Sequence, residues 1–259
     1  MSRSPMPSSS FRPSPARVLA RSLPEARWRP GLAAQPFHSE IFAPATEASG
    51  AGLALALARD ALTSSAESGA VEDTRQILWV QDRQAIKRGG RPCLAGLPRE
   101  WRHRVIHVAA ATPEDALFAL EEGVRCRDLA CVIGEIAGNP KALSFTASRR
   151  LSLAAERHGV RLWLVRLDAE PDLSSARMRW RARAAPSPPP RWNAAAPGNA
   201  TWHGELFRAR AHAPGEWTLS DDHTHLAIAR DTDGDFAAPD SVRLARATVG
   251  RSLAAVARA

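Results

Sequence analysis

The run Leu129–Ile136, LACVIGEI, is apolar at almost every position. A strand with one wet face alternates, so an unbroken run of this length fits a strand covered on both sides, as in a parallel sheet with helices above and below. It falls far short of the roughly 18 apolar residues of a membrane span, and no other run reaches that length. The surrounding chain should therefore supply strands alternating with helices. HSEIF (38–42) reads as a short strand, after which Leu53, Leu57 and Leu62 recur at helical spacing among alanines. ILWVQ (77–81) and RVIHVA (104–109) read as two more strands, joined by a link with Gly89, Gly90, Pro92 and Pro98 that reads as a loop.

Helix boundaries are written in cap chemistry. Thr112 suits an N-cap, Pro113 the first turn, and Asp115 can return the threonine's hydrogen bond; Ala116, Leu117, Leu120 and Val124 then share one face. Ser144 to His158 reads as a second such helix, with Gly159 at C′ and VRLWLVRL (160–167) as the strand that follows. This alternation predicts an α/β fold with a mainly parallel central sheet and right-handed crossovers.

A chain of 259 residues accommodates one such core with extensions. Residues 1–30 form a basic Ser/Pro/Arg-rich arm without the apolar segment of a secretory signal, expected to be disordered, either a basic bacterial tail or an organellar leader. The core is expected over 31–185. From 186 to 259 the chain offers the stiff spacer PSPPP and the short alternating runs TWHGELFRAR, EWTLS and HLAIAR, suited to antiparallel pairing, then an Ala/Arg-rich tail. Cys93, Cys126 and Cys131 form no CxxC pair, which fits a reducing cytoplasm. The net charge of +8 admits an acidic partner, nucleic acid first, although Lys87 and Lys141 are the only lysines and the arginine excess also fits a GC-rich genome.

The stretch between the first strand and first helix is laid out as a nucleotide-binding P-loop would be. There, backbone N–H groups cradle phosphates, a lysine neutralises their charge and a Ser/Thr holds magnesium. In Ser49-Gly50-Ala51-Gly52, Ala51 stands at the lysine position and Gly52 at the hydroxyl position. Gly134 stands where an aspartate would orient the metal, with Glu135 after it. The expectation is a degenerate nucleotide site with no catalysis, no cofactor and no bound metal.

The order EIFAP, SGAG, ILWVQD, GLPREWRHRVIHVAAATPEDALFALEEGVR, LACVIGEI, SRRLSLAAERHGV, ARMRW, ELFRAR and EWTLS, spanning about residues 38–220, resembles the ImuA family of inducible mutagenesis proteins, degenerate relatives of the RecA recombinase. Met178 fills a position usually held by threonine there, and residues after Asp221 resemble nothing in the family. The resemblance implies a RecA-like core in a non-enzymatic accessory protein of SOS translesion synthesis. Its implied partners are an ImuB-type inactive Y-family polymerase homologue and an error-prone C-family DNA polymerase, with RecA and single-stranded DNA as further candidates. Rival readings are a division inhibitor resembling SulA and a DNA-dependent ATPase of RecA type.

Candidate contacts to DNA or a partner are Arg149 and Arg150 at the start of a helix, and Arg177, Arg179, Trp180, Arg181 and Arg183, where cations flank an aromatic. Such interleaving suits phosphates on the arginines and a base on the indole. It equally suits an ion pair with Glu156 for the first pair, and a core-packed Trp180 with snorkelling arginines for the second. The Asp231–Asp235 turn and the pairs His103/His107 and His223/His225 lack the further ligands a metal would need.

Overall fold

The computed structural model describes residues 28–30, 35–67, 73–190, 192, 193, 195–222 and 226–229. The arm up to residue 27, His223, His225, the Asp231–Asp235 turn and the Ala/Arg-rich tail lie outside them. The described chain is α/β. Its nine strands are β1 (His38–Ala43), β2 (Gln76–Asp82), β3 (Val105–Ala110), β4 (Leu129–Ala137), β5 (Arg161–Leu167), β6 (Met178–Ala184), β7 (Ala200–Ala209), β8 (Gly215–Asp221) and β9 (Leu226–Ile228). They form one sheet in the order β3-β2-β4-β5-β1-β6-β7-β8-β9. The six strands from β3 to β6 run parallel, and β7, β8 and β9 continue antiparallel. The sheet thus runs on without a break past residue 185, and the short runs of the C-terminal part are its outer strands.

Four helices flank the sheet: α1 (Ser49–Glu67), α2 (Arg83–Gly89), α3 (Pro113–Arg125) and α4 (Phe145–His158). α1 lies on one face, where Leu53 and Leu57 join Ile41, Ile77, Ile133, Trp163 and Val165. α3 and α4 lie on the other, where Leu120 and Leu151 join Leu78, Val132, Ile136, Leu162 and Leu164. Successive residues of β2, β4 and β5 therefore enter different cores, which is why LACVIGEI does not alternate. Complete burial of Leu53 and Leu57 contributes about 1.5–3 kcal/mol each, more than helix propensity can.

The expected caps form. Thr112 Oγ1 accepts from the Asp115 amide at 3.1 Å and donates to the Asp115 carboxylate at 2.8 Å. Ser144 caps α4, and Gly159 closes it at φ 73°, donating its N–H to Ala155. Two expectations are corrected. The link after β2 is not loop throughout, because the Asp82 carboxylate accepts from the Ala85 amide at 2.6 Å and starts the two-turn helix α2. Trp28, placed in the arm by its neighbours' composition, is fully buried, with its ring centroid 4.9 Å from that of Trp180 and 5.5 Å from that of Trp217. Among the described residues no helix is long and apolar enough to cross a membrane.

Candidate functional site

Ligands of open α/β sheets collect at the carboxyl ends of the parallel strands. A cavity of about 420 Å³ lies there, lined by the loop after β1, the start of α1, Trp79, Gln81, Glu135 and the segment Arg88–Cys93. The degenerate motif borders it, but its glycines serve packing. A Cβ on Gly50 would stand 2.7 Å from Val165 Cγ1 and 2.8 Å from Ala43 Cβ, and one on Gly52 would stand 2.9 Å from the Trp202 indole. Ser49 is buried, and its hydroxyl reaches the Ala182 carbonyl at 3.4 Å. The loop itself is held by carboxylates: Asp168 accepts from the Ala45 amide and Glu47 accepts from the Ala184 amide, both at 2.8 Å. Asp168 is itself answered by Arg88 at 2.7 Å, and Arg88 and Arg91 line the cavity from α2 and the segment after it, so the cations here come from outside the loop.

Glu135 and Gly134 take opposite roles to those their order suggests. Gly134 faces α3, where a Cβ would meet Leu120 at 2.8 Å and Leu164 at 3.1 Å, so it is a packing position on the sheet face away from the cavity. Glu135 faces the cavity, accepts from Trp79 Nε1 at 2.6 Å and is almost fully buried. Burial pushes its carboxyl above the usual range, against hydrogen bonds from Trp79 and Gln81 that favour the ion. Among the described residues no group of three or more His, Cys, Asp or Glu is placed to hold a metal ion.

The candidate contact residues separate sharply. Trp180 is fully buried and Arg179 is enclosed, its Nε 2.7 Å from Glu40 Oε2, so neither can meet a base or a phosphate at the surface. Arg150 pairs with Glu121 of α3. Arg181 makes two 2.9 Å hydrogen bonds to Glu205 and lies 4.4 Å over the Phe207 ring. Arg183 is exposed opposite His203. Arg177 takes Glu156, the acid expected to pair with Arg149 or Arg150, at 2.8 Å.

Arg149 and Arg177 do converge, at the opposite end of the parallel strands from the first cavity. They line a groove of about 540 Å³ between α4 and the end of the β6–β7 pair, together with Arg208 and Arg210. Arg208 and Arg210 were missed because strict alternation puts them on the side of Leu206, facing the α1 core. The pairing shifts instead between Arg179 and Trp180: Trp180 opposes Leu206, but Arg179 opposes Arg208, leaving Phe207 as the extra residue of a bulge. The Arg210 amide, just past the end of β7, then donates to Arg177 O at 3.0 Å, and Arg208 and Arg210 both line the groove with Arg149. The sequence does hold a signal for this, since Leu206, Arg208 and Arg210 on one face would put two cations into an apolar core.

Beneath the groove runs a buried polar chain. His38 Nδ1 lies 2.7 Å from Ser152 Oγ, which is 2.6 Å from Ser175 Oγ; Ser148 and Ser174 hydroxyls stand 2.8 Å apart, and Ser174 donates to Glu40 at 2.7 Å. Burial pushes His38 down to about 4, outweighing the opposing pull of Glu40. Because this folded-state value lies below the ordinary 6.5, the unfolded chain takes the proton first on acidification. The contribution is complete above about pH 6.5 and is lost as pH falls toward 4, amounting to about 2 kcal/mol by pH 4.5. Urea titrations should therefore show His38→Gln losing less stability than the parent between pH 7 and 4.5; equal losses would mean the imidazole is not the group responsible.

Compared with models of protein families and with curated proteins, the chain matches none.

Proposed function

We propose that this chain is a non-hydrolysing scaffold with a RecA-like core, acting in damage-induced translesion synthesis by linking an ImuB-type protein to an error-prone polymerase. The observation that carries the reading is the fate of the phosphate loop. Its layout of strand, turn and helix beside a cavity at the strand ends suits a nucleotide-binding core, yet Ala51 stands at the lysine position and Gly50 and Gly52 pack against Val165 and Trp202. Phosphoryl transfer depends on cations that neutralise developing charge, and such a loop brings none of its own. A frame kept after its chemistry has gone is useful for what its surface holds, which agrees with the resemblance to the ImuA family over residues 38–220.

The test is the frequency of DNA-damage-induced mutations in a strain lacking the gene. It should fall to the undamaged background and return when the intact gene is supplied. An unchanged frequency overturns the reading, and filamentous cells on overexpression would then favour a division inhibitor.

A further inference from the structure

The groove between α4 and the β6–β7 pair adds Arg208, Arg210 and Phe145, none of them a candidate from the sequence, to Arg149 and Arg177, and so gives the candidate single-strand contact a defined site. Its two walls come from different parts of the sequence. On α4, Phe145, Arg149 and Leu153 stand four residues apart and so form one line along the helix, with Phe145 45% and Leu153 53% exposed. On the sheet, the bulge at Phe207 in the β6–β7 pairing brings Arg208 and Arg210 beside Arg177. Among the described residues no carboxylate lines the groove, and no ion pair engages Arg149, Arg208 or Arg210; Arg177 alone is answered, by Glu156 at the rim.

We propose that this groove binds the phosphodiester backbone of an unpaired nucleic-acid strand, with phosphates on Arg149, Arg208 and Arg210 and a base stacked on Phe145. Arg149, Arg208 and Arg210, unanswered around one cleft, repel each other, a cost that a polyanion relieves, and the chain's net charge of +8 attracts the same ligand from a distance. The planar guanidinium fork matches phosphate oxygens. Arg208 near the end of β7 and Arg210 just beyond it line the same groove two residues apart, which offers two neighbouring cations to one phosphate chain. An exposed ring beside the cations is the sequence-tolerant stacking platform of single-strand binders.

Two other occupants fit less well. A duplex presents its phosphates on a broad convex surface that a cleft of about 540 Å³ cannot enclose. An amphipathic acidic peptide needs apolar anchors over several turns, and among the described residues lining the groove Phe145 and Leu153 are the large apolar ones. The assignment is independent of the adaptor reading, so a negative mutation assay leaves it standing.

The experiment is fluorescence anisotropy of a labelled oligothymidylate with the full chain across a salt series. The parent should bind with a clear salt slope. Arg149→Ala/Arg208→Ala/Arg210→Ala should lose at least tenfold in affinity near 0.1 M salt, and its log–log slope should shrink by about 2, from three lost contacts on a single strand. Phe145→Ala should weaken binding roughly tenfold with the slope unchanged. Arg150→Ala, whose side chain is held on Glu121 outside the groove, should bind as the parent does. The three substituted arginines are exposed and make no ion pair among the described residues, so the triple variant should melt with the parent. No binding by the parent at low salt, or a triple variant with the parent's affinity and slope, overturns the assignment. So does equal binding of a duplex lost in the same variant, or a groove-dependent complex with an oligoglutamate peptide in place of the oligonucleotide.

Discussion

Glu40→Ala should lower the stability of the fold by about 3–5 kcal/mol, because it leaves buried charge without its counter-charge. Glu40 lies wholly inside the protein, on β1. Its Oε2 accepts from Arg179 Nε at 2.7 Å, its Oε1 accepts from Ser174 at 2.7 Å and lies 3.9 Å from Arg166 Nη1. The guanidiniums of Arg166 and Arg179 are themselves 1% and 4% exposed. Without Glu40 the one counter-charge left to them among the described residues is Asp172, a half-exposed acid at 3.5 and 3.8 Å, with a Gly138 carbonyl 3.2 Å from Arg166 Nη2, and neither Arg166 Nε nor Arg179 Nη2 makes a hydrogen bond. Arg179 also rests on the Phe42 and Phe207 rings at 5.1 and 5.4 Å, so its stem cannot swing out without breaking that stack. Urea unfolding should show the midpoint fall at constant m-value, and adding Arg179→Met should recover part of the loss by removing one stranded charge. A change below about 1 kcal/mol, or no recovery in the double variant, would mean that the cluster is solvated and not truly closed.

That cluster marks the limit of what the sequence discloses. Local patterns were legible: the apolar run of β4, the Thr112 and Ser144 caps and the Gly159 stop are each readable within a few residues, because each depends on hydrogen bonds within one turn or on side-chain alternation within one strand. The α/β class and mainly parallel sheet follow from their order. Partnerships across the sheet were not legible. Glu40 and Arg179 are 139 residues apart and become neighbours only because β6 lies alongside β1, an order that no local pattern contains. α2 escaped notice because Ala85 is its single buried residue, leaving no apolar stripe to count. The bulge at Phe207 shifted Arg208 and Arg210 by one face, and with them the whole composition of the groove. In the nucleotide motif the substitutions were plain, but that Gly134 turns away from the cavity and Glu135 toward it depended on the register of β4 between the two cores.

Trp180→Ala should be comparably destabilising, by about 3–5 kcal/mol, for a reason rooted in packing. Its indole is fully buried between Trp28, 4.9 Å away edge-to-face, and Trp217 at 5.7 Å. These three rings tie the segment before β1 to β6 and β8, and on the same face Arg59 of α1 pairs with Asp221 at the end of β8. Removing one ring takes its contacts from both others and leaves a cavity that a sheet interior cannot close. A melting temperature lower by roughly 10 °C is the expected reading for a chain of this size. Trp180→Phe separates this role from base stacking: it keeps a ring in the cluster, should cost far less, and should bind oligothymidylate as tightly as the parent. The cation–aromatic interleaving of β6 is then two independent faces, Met178, Trp180 and Ala182 toward the α1 core and the arginines toward α4, as the period of a strand requires. Loss of single-strand binding in a folded Trp180→Phe variant would put that indole back at the nucleic-acid surface and remove the ring cluster from the core.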